Sequence, residues 1–378
     1  MSAHWLSRRQ GAAALVLGAA LVAASGCGAD SETGGAAQRG GATPAGLTEA
    51  RSLVAKASVR PSSVGLGQPV GKAIPTGKKV VFISCGVQAC EIQGDILAQG
   101  AADLGWTLSK IATDGSPERL QNAFATALRQ GADAVILNAV DRATVAKQLA
   151  DAKSKGVAFV TCCTVDATGD GILYNTSTSE QNAKIGEFLA AQVVADSAGK
   201  ANTLYVNISA FQILKALGDQ FESSYKQYCP NCEYGSLDIP ATSLGKDAPD
   251  RIVSYLRSHP QVNYVVLSVS NALGAGLPAA LRAAGLADKV KIIGQSADTQ
   301  TFQDLEAGNI KAVVPYDYYT VDYLMLDALA RHFAGAPIKE TAPPLWIMTE
   351  SNLPSATDKL FPVVENYRDE FKRAWGKS

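Results

Sequence analysis

Histidine is almost missing: there are three in 378 residues, His4, His259 and His332. Enzymes that move protons near neutral pH most often use this side chain, so its scarcity weighs against catalysis. His259 falls in a Ser-His-Pro turn, and His332 falls in the last turn of a helix before Gly335, where a cation favours the helix dipole. Neither follows a strand beside a serine or cysteine, so no nucleophile–base pair is legible. Charge is also sparse, at 18% of residues, and balanced, with 34 Lys+Arg against 35 Asp+Glu for a net charge of -1. A nucleic-acid partner wants a basic face, which this balance does not supply. No phosphate-loop lysine motif occurs, and Gly65-Leu66-Gly67 precedes the first strand instead of following it, so neither nucleotide fingerprint is present. No cofactor is expected. Past the N-terminus no apolar run reaches the ~20 residues needed to span a bilayer.

The N-terminus carries an export signal. His4, Arg8 and Arg9 precede an apolar run from Gly11 to Ala24, which ends in Ala24-Ser25-Gly26-Cys27. Small residues leading into a cysteine resemble a bacterial lipobox. On that reading residues 1–26 are a lipoprotein signal peptide and Cys27 is the lipidated first residue of the mature chain. The alternative is an ordinary signal peptide cleaved near Ala24. Gly28 to Gly46 is rich in Gly, Ala, Ser and Thr, the composition of a flexible tether. The tether is read over residues 27–76, with a possible short helix near 47–57.

Six cysteines follow Cys27: Cys85, Cys90, Cys162, Cys163, Cys229 and Cys232. An even count in an exported chain points to disulfides before metal. Cys229-Pro-Asn-Cys232 follows a long helical stretch and precedes a strand, the setting of a structural staple. The other four stand near two strand ends. They could form Cys85–Cys90 with a vicinal Cys162–Cys163 pair, or crossed pairs, or a polarizable disulfide in a pocket wall. Metal capture ranks last, since no histidine lies nearby.

From Lys78 onward strand and helix alternate. Strands are expected at Val80–Ile83, Trp106–Ile111, Ala134–Leu137, Phe159–Cys162 and Ile172–Tyr174, then at Thr203–Val206, Leu237–Ile239, Tyr264–Leu267, Lys291–Ile293 and Ala312–Val314. Helices between them include one opened by Ser116-Pro117-Glu118, one with the capping-box spacing Ser177-Thr178-Ser179-Glu180, and one over Ala272–Ala284. The pattern predicts an α/β fold of two doubly wound lobes with parallel sheets covered on both faces. Ligands of such sheets bind outside the carboxyl ends of the strands.

The order of these elements, with Gly100-Ala101-Ala102-Asp103-Leu104-Gly105-Trp106, Gly131-Ala132-Asp133-Ala134, Ser258-His259-Pro260-Gln261-Val262 and Val290-Lys291-Ile292-Ile293-Gly294, resembles the type I periplasmic binding proteins, in their ribose-binding-like branch. The resemblance runs from about Lys78 to the end. It implies two six-stranded lobes, 77–177 with 317–344 and 178–316 with 345–378, joined by three hinge crossings near Ser177, Tyr316 and Leu345. It implies a lipid-anchored solute receptor outside the cytoplasmic membrane, monomeric, working with an ABC permease.

Carried across position by position, the resemblance places the ligand among Gln88, Cys90, Cys163, Thr164, Ser177, Phe211, Leu217, Asn271, Gln295, Ser296, Tyr316 and Asp317. Sugar receptors of the family present aromatic stackers and charged side chains at most of these places, and this chain departs at nearly all of them. Ser177 is the one polar position retained. So depleted a cleft fits a ligand less polar than a simple aldose, with an apolar body and a few polar handles. A ligand-presenting sensory subunit, a typical sugar receptor with a rearranged cleft, and an extracytoplasmic thiol redox protein remain as alternatives.

Overall fold

The computed structural model describes residues 41–377 of the chain. Short β-branched runs form its strands, and each is followed by a helix that covers one face of the sheet. The first half contains α1 (Pro44–Ala57), β1 (Lys79–Ile83), α2 (Gln88–Asp103), β2 (Thr107–Ile111), α3 (Pro117–Arg129), β3 (Ala134–Leu137), α4 (Ala146–Ser154), β4 (Ala158–Cys162) and β5 (Tyr174–Thr176). Its five strands are parallel in the order β2-β1-β3-β4-β5.

The second half contains α5 (Ser179–Asp196), β6 (Asn202–Asn207), α6 (Ile213–Tyr228), β7 (Glu233–Asp238), α7 (Ala248–Ser258), β8 (Tyr264–Leu267), α8 (Ser270–Leu273), α9 (Leu277–Ala283), β9 (Lys291–Gln295), α10 (Thr299–Glu306) and β10 (Ala312–Val314). These strands are also parallel, in the order β10-β9-β8-β6-β7. The chain closes with α11 (Tyr318–Phe333) and α12 (Tyr367–Ala374). Each sheet has apolar side chains buried on both faces, as parallel sheets require.

Several expectations are corrected. Each sheet has five strands where six were expected, and in the second lobe Met348 reaches Val313 only through an isolated antiparallel bridge. The helix read over 272–284 breaks at Gly274 to Gly276, where Gly276 takes φ +79°. α5 opens one residue later than the spacing suggested. Ser177 has φ +53°, so Thr178 is the N-cap and Gln181 Oε1 accepts its N–H at 3.1 Å.

Two segments also leave the places the sequence assigned them. Residues 44–76, read as tether, are folded onto the body. α1 buries Ala50 and Ala57 against the core beneath α5 and α6, and Val64, Leu66, Val70 and Ile74 join the core of the first lobe. Residues 345–378, read as second-lobe, are divided. Trp346, Met348 and Val363 pack in the second lobe, whereas Tyr367, Phe371 and Trp375 pack in the first. Trp375 stacks on Tyr323 with ring centroids 5.7 Å apart, and its Nε1–H donates to Asp327 at 2.9 Å. These partners lie on α11, far away in sequence, so no local pattern announces them.

The two displaced segments run together. The carbonyl of Ser58 accepts from Trp346 Nε1 and Asn352 Nδ2, and Arg60 donates to the carbonyls of Pro362 and Val363 at 2.9 and 3.0 Å. The backbone passes between the two cores at about 58–63 and 363–364, where Ala57 and Val363 belong to the second-lobe core and Val64 and Val364 to the first.

Candidate functional site

The carboxyl ends of the strands gather unusual backbone and unpaired polar atoms. Ala139, Cys163, Ser177 and Ser296, which follow β3, β4, β5 and β9, account for four of the six non-glycine residues with positive φ among those described. Left-handed backbone at such residues costs about 1–3 kcal/mol each and concentrates where function demands a geometry. Buried side-chain polar atoms without a protein partner concentrate in the same places. They include both polar atoms of Asn138, Asn175 Oδ1, Thr176 Oγ1, Asn207 Oδ1, Ser268 Oγ, Ser270 Oγ and Asn271 Oδ1. Buried polar groups are ordinarily paired, so this concentration singles out the strand ends as the candidate binding region.

The first lobe contributes a sulfur-rich cluster. Cys162 Sγ and Cys163 Sγ lie 3.0 Å apart, and the Tyr316 hydroxyl touches them at 3.4 and 2.9 Å. Gln93 Nε2 donates to Cys162 Sγ at 3.6 Å and to Asp322 Oδ1 at 2.9 Å, while Asp322 Oδ2 is buried without a partner. Burial pushes the Asp322 carboxyl well above the usual carboxylate range and pushes the Cys162 thiol up. The Cys163 thiol is drawn down, first by its hydrogen bond with Cys162, with Tyr316 and Ser177 adding to the effect. Tyr316 packs edge-on against Tyr318, with centroids 4.8 Å apart.

The second lobe contributes amides and hydroxyls. Ser268, Ser270 and Asn271 follow β8, and Gln295 Nε2 donates to the carbonyl of Ser268. Glycine at 294 lets the start of α8 lie close against β9, because a Cβ there would collide with Ser270 Oγ. Ser296, left-handed at φ +63°, follows β9 and donates its backbone N–H to the carbonyl of Val314 at 2.9 Å.

The structure sorts the residues named from sequence. Cys163, Ser177, Tyr316, Asn271, Gln295 and Ser296 stand at the strand ends described above. Thr164 is buried beside them, its Oγ1 accepting from Asn175 Nδ2 at 3.3 Å. Phe211 is half-buried at the edge of the second-lobe core, just before α6. Asp317 is the cap of α11: its carboxylate accepts from Thr320 N and Thr320 Oγ1, and burial raises its pKa to about 6.

Leu217 is corrected, since it is wholly buried between α5 and α6 in the second-lobe core. Cys90 is corrected too, because it is bonded to Cys85 and packed in the first-lobe core. Gln88 opens α2. Cys229 and Cys232 form a disulfide where α6 ends, as expected. Cys27 lies outside the described residues.

Sequence reasoning missed Gln93, Asn138, Asn207, Ser268, Ser270 and Asp322 as cleft residues. A signal existed for some of them. Asn138 and Ser268 are the first polar residues after all-apolar strands, and Asp322 interrupts the apolar run Val321-Asp322-Tyr323-Leu324.

Comparison with known proteins follows the same geometry. The profile of the periplasmic binding protein domain matches residues 90–337. Among solved structures, GanP, a glucose-galactose binding protein from Geobacillus stearothermophilus, is 19% identical and superposes with a TM-score of 0.64, covering 74% of this chain and 100% of its own. The solute binding protein of a 5-methylthioribose transporter from Thermotoga lettingae, in complex with 5-methylthioribose, is 21% identical with a TM-score of 0.64, covering 80% of this chain and 94% of its own. An ABC sugar transporter subunit from Rhodobacter sphaeroides is 22% identical with a TM-score of 0.63, covering 73% of this chain and 99% of its own. No curated protein sequence matches the chain.

Proposed function

The chain belongs to the periplasmic binding protein domain family, and from that premise we propose that it is a non-enzymatic solute receptor of an ABC importer, closing its two lobes over one small carbohydrate-like molecule less polar than a simple aldose. The observation that carries this reading is the set of partnerless buried polar atoms at the strand ends of both lobes. Amides and hydroxyls of this kind satisfy ligand hydroxyls, and a ligand lacking them leaves the site unpaired.

The wall of Cys162, Cys163, Tyr316 and Tyr318 offers such groups sparingly. It suits an apolar or sulfur-bearing face of the ligand, while Ser268, Ser270, Asn271 and Gln295 take the hydroxyls. Hinge closure then presents the loaded form to a permease. Residues 1–26 would export the chain and a lipid on Cys27 would hold it at the outer face of the cytoplasmic membrane, with no nucleic-acid partner. None of the described helices is long and apolar enough to cross a membrane.

A thermal-shift screen on the mature chain tests the ligand class. Allitol, 5-methylthioribose, glucose and galactose would be set against aromatic acids and nucleosides. A ligand at 100 times its Kd adds about 2.7 kcal/mol of stability, a shift easily read. The largest shift is expected from a substituted or reduced sugar. A panel silent for every carbohydrate would sink the reading. The anchor has its own control, since Cys27→Ser should move the protein from the membrane fraction to the soluble one.

A further inference from the structure

Adjacent residues of a strand point to opposite faces of the sheet. Cys162, the last residue of β4, and Cys163 do not obey this alternation. The left-handed backbone at Cys163 (φ +62°) swings its side chain onto the same side as Cys162, and the two sulfurs come within 3.0 Å. A disulfide needs about 2.05 Å, about 1 Å less, and because adjacent Cα atoms at about 3.8 Å lie below the usual disulfide span, the bond closes a strained ring. Cys162 and Cys163 are the free thiols among the described residues, the other four cysteines there being paired. Cys162 is fully buried, whereas Cys163 is partly exposed.

We propose that Cys162 and Cys163 are a two-electron redox site in the cleft wall, oxidised by an incoming disulfide to a vicinal disulfide that changes what the cleft offers its ligand. The step balances as a thiol–disulfide exchange. The thiolate of Cys163 attacks one sulfur of the incoming disulfide, breaking its S–S bond, and one thiol leaves. Cys162, deprotonated in the second step, attacks Cys163 Sγ, forms the Cys162–Cys163 bond and expels the second thiol. Two protein thiols become one disulfide, and the oxidant becomes two thiols.

The order follows from position. Cys163 is the exposed partner and the one whose thiolate its neighbours stabilise, while Cys162 is shielded and resolves. In the dithiol form the Tyr316 hydroxyl is engaged with both sulfurs. The disulfide has no S–H donor and offers only weak acceptors, so the Tyr316 hydroxyl turns to the ligand. This consequence rests on the receptor reading, whereas the redox step does not.

The test uses the full chain isolated without reductant and incubated with oxidised or reduced glutathione. Trypsin releases both cysteines in one peptide, residues 156–184, which holds no other cysteine. After oxidised glutathione this peptide should be lighter by two hydrogens and refuse alkylation, and reduced glutathione should reverse the change. Cys162→Ser should accumulate a glutathione adduct on Cys163, whereas Cys163→Ser should leave Cys162 unmodified. A peptide that stays fully alkylatable under oxidised glutathione overturns the proposal.

Allitol and 5-methylthioribose serve as binding probes on both redox forms. The oxidised form should bind the better probe about two- to tenfold more tightly, the range of one hydrogen bond gained. Equal affinities would overturn the ligand coupling. If neither probe binds while the peptide still switches, the receptor reading fails and the redox site stands.

Discussion

The two halves of the cleft are made of different chemistry on similar scaffolds. Both lobes present the ends of five parallel strands. The first lobe fills its ends with sulfur, tyrosine and two buried carboxyls at Asp317 and Asp322. The second uses uncharged amides and hydroxyls: Asn207, Ser268, Ser270, Asn271, Gln295 and Ser296. The sulfur, tyrosine and carboxyl groups of the first side are tied to one another and to their own helix, through Gln93, Tyr316 and Thr320. Both sides leave buried amide and hydroxyl atoms unpaired, at Asn138, Asn175 and Thr176 on the first and at Asn207, Ser268, Ser270 and Asn271 on the second. Similar scaffolds can therefore carry different chemistry, because the strands fix position while the residue after each strand is free to vary.

If that division is right, pH sensitivity belongs to the first side. Asp317 has a folded-state pKa of about 6 against an ordinary 3.8, so the folded chain binds the extra proton between these values. A raised carboxyl contributes full stability below about pH 4 and loses it as pH rises through about 6. That amounts to about 3 kcal/mol. Asp317→Asn can still cap α11, and it should remove this fall. Denaturant unfolding from pH 4 to 7 should show the wild type losing stability relative to the variant. Parallel curves would place the pH response elsewhere.

Hydroxyl recognition is best tested on the second side, where no buried carboxyl or thiol among the described residues adds a titration of its own. Asn271 Oδ1 has no partner in the chain, so Asn271→Ala should weaken binding of the best carbohydrate by about tenfold or more, with the unliganded melting point unchanged. Calorimetric titration beside a melting curve separates the two effects. A drop in melting with unchanged affinity would make Asn271 a structural residue and blur the contrast. The smallest effect is expected at the seam. Tyr319→Phe deletes the hydroxyl's donation at 3.2 Å to the carbonyl of Leu360, which packs against the cores of both lobes, a bond worth about 1 kcal/mol or less, and should enlarge the radius of gyration slightly as open forms gain. An unchanged scattering curve would remove that link from the closure mechanism.

Much of the fold was legible because parallel strands are apolar on both faces. Ala134–Leu137, Tyr264–Leu267 and Ala312–Val314 have the bounds their sequences suggest. β7 was read as Leu237–Ile239 but spans Glu233–Asp238. It is an edge strand paired only with β6 and half exposed, so its sequence, Glu-Tyr-Gly-Ser-Leu-Asp, carries no apolar run. The site was legible by position more than by identity. Counting residues past each strand reached Cys163, Ser177, Asn271 and Ser296, which the structure places just beyond strand ends. Transferring a helix position found Leu217, which a turn of α6 aims into the core. Asp322 and Gln93 were invisible, because they meet only when α11 returns from the second lobe to pack on α2.

Sequence alone determined the alternation of strand and helix, the two-block plan, the Cys229–Cys232 staple and the loops where a ligand would be met. All of these rest on interactions within a few residues, or on burial patterns repeated along the chain. Tertiary structure decided the rest. It docked α1 and residues 64–76 onto the body, carried α12 back to the first lobe, turned Cys163 beside Cys162, and buried a carboxyl under Gln93. Each of these outcomes depends on which distant surface supplies the missing contact, and the free energy of such a contact is not written in the neighbours of the residue that makes it.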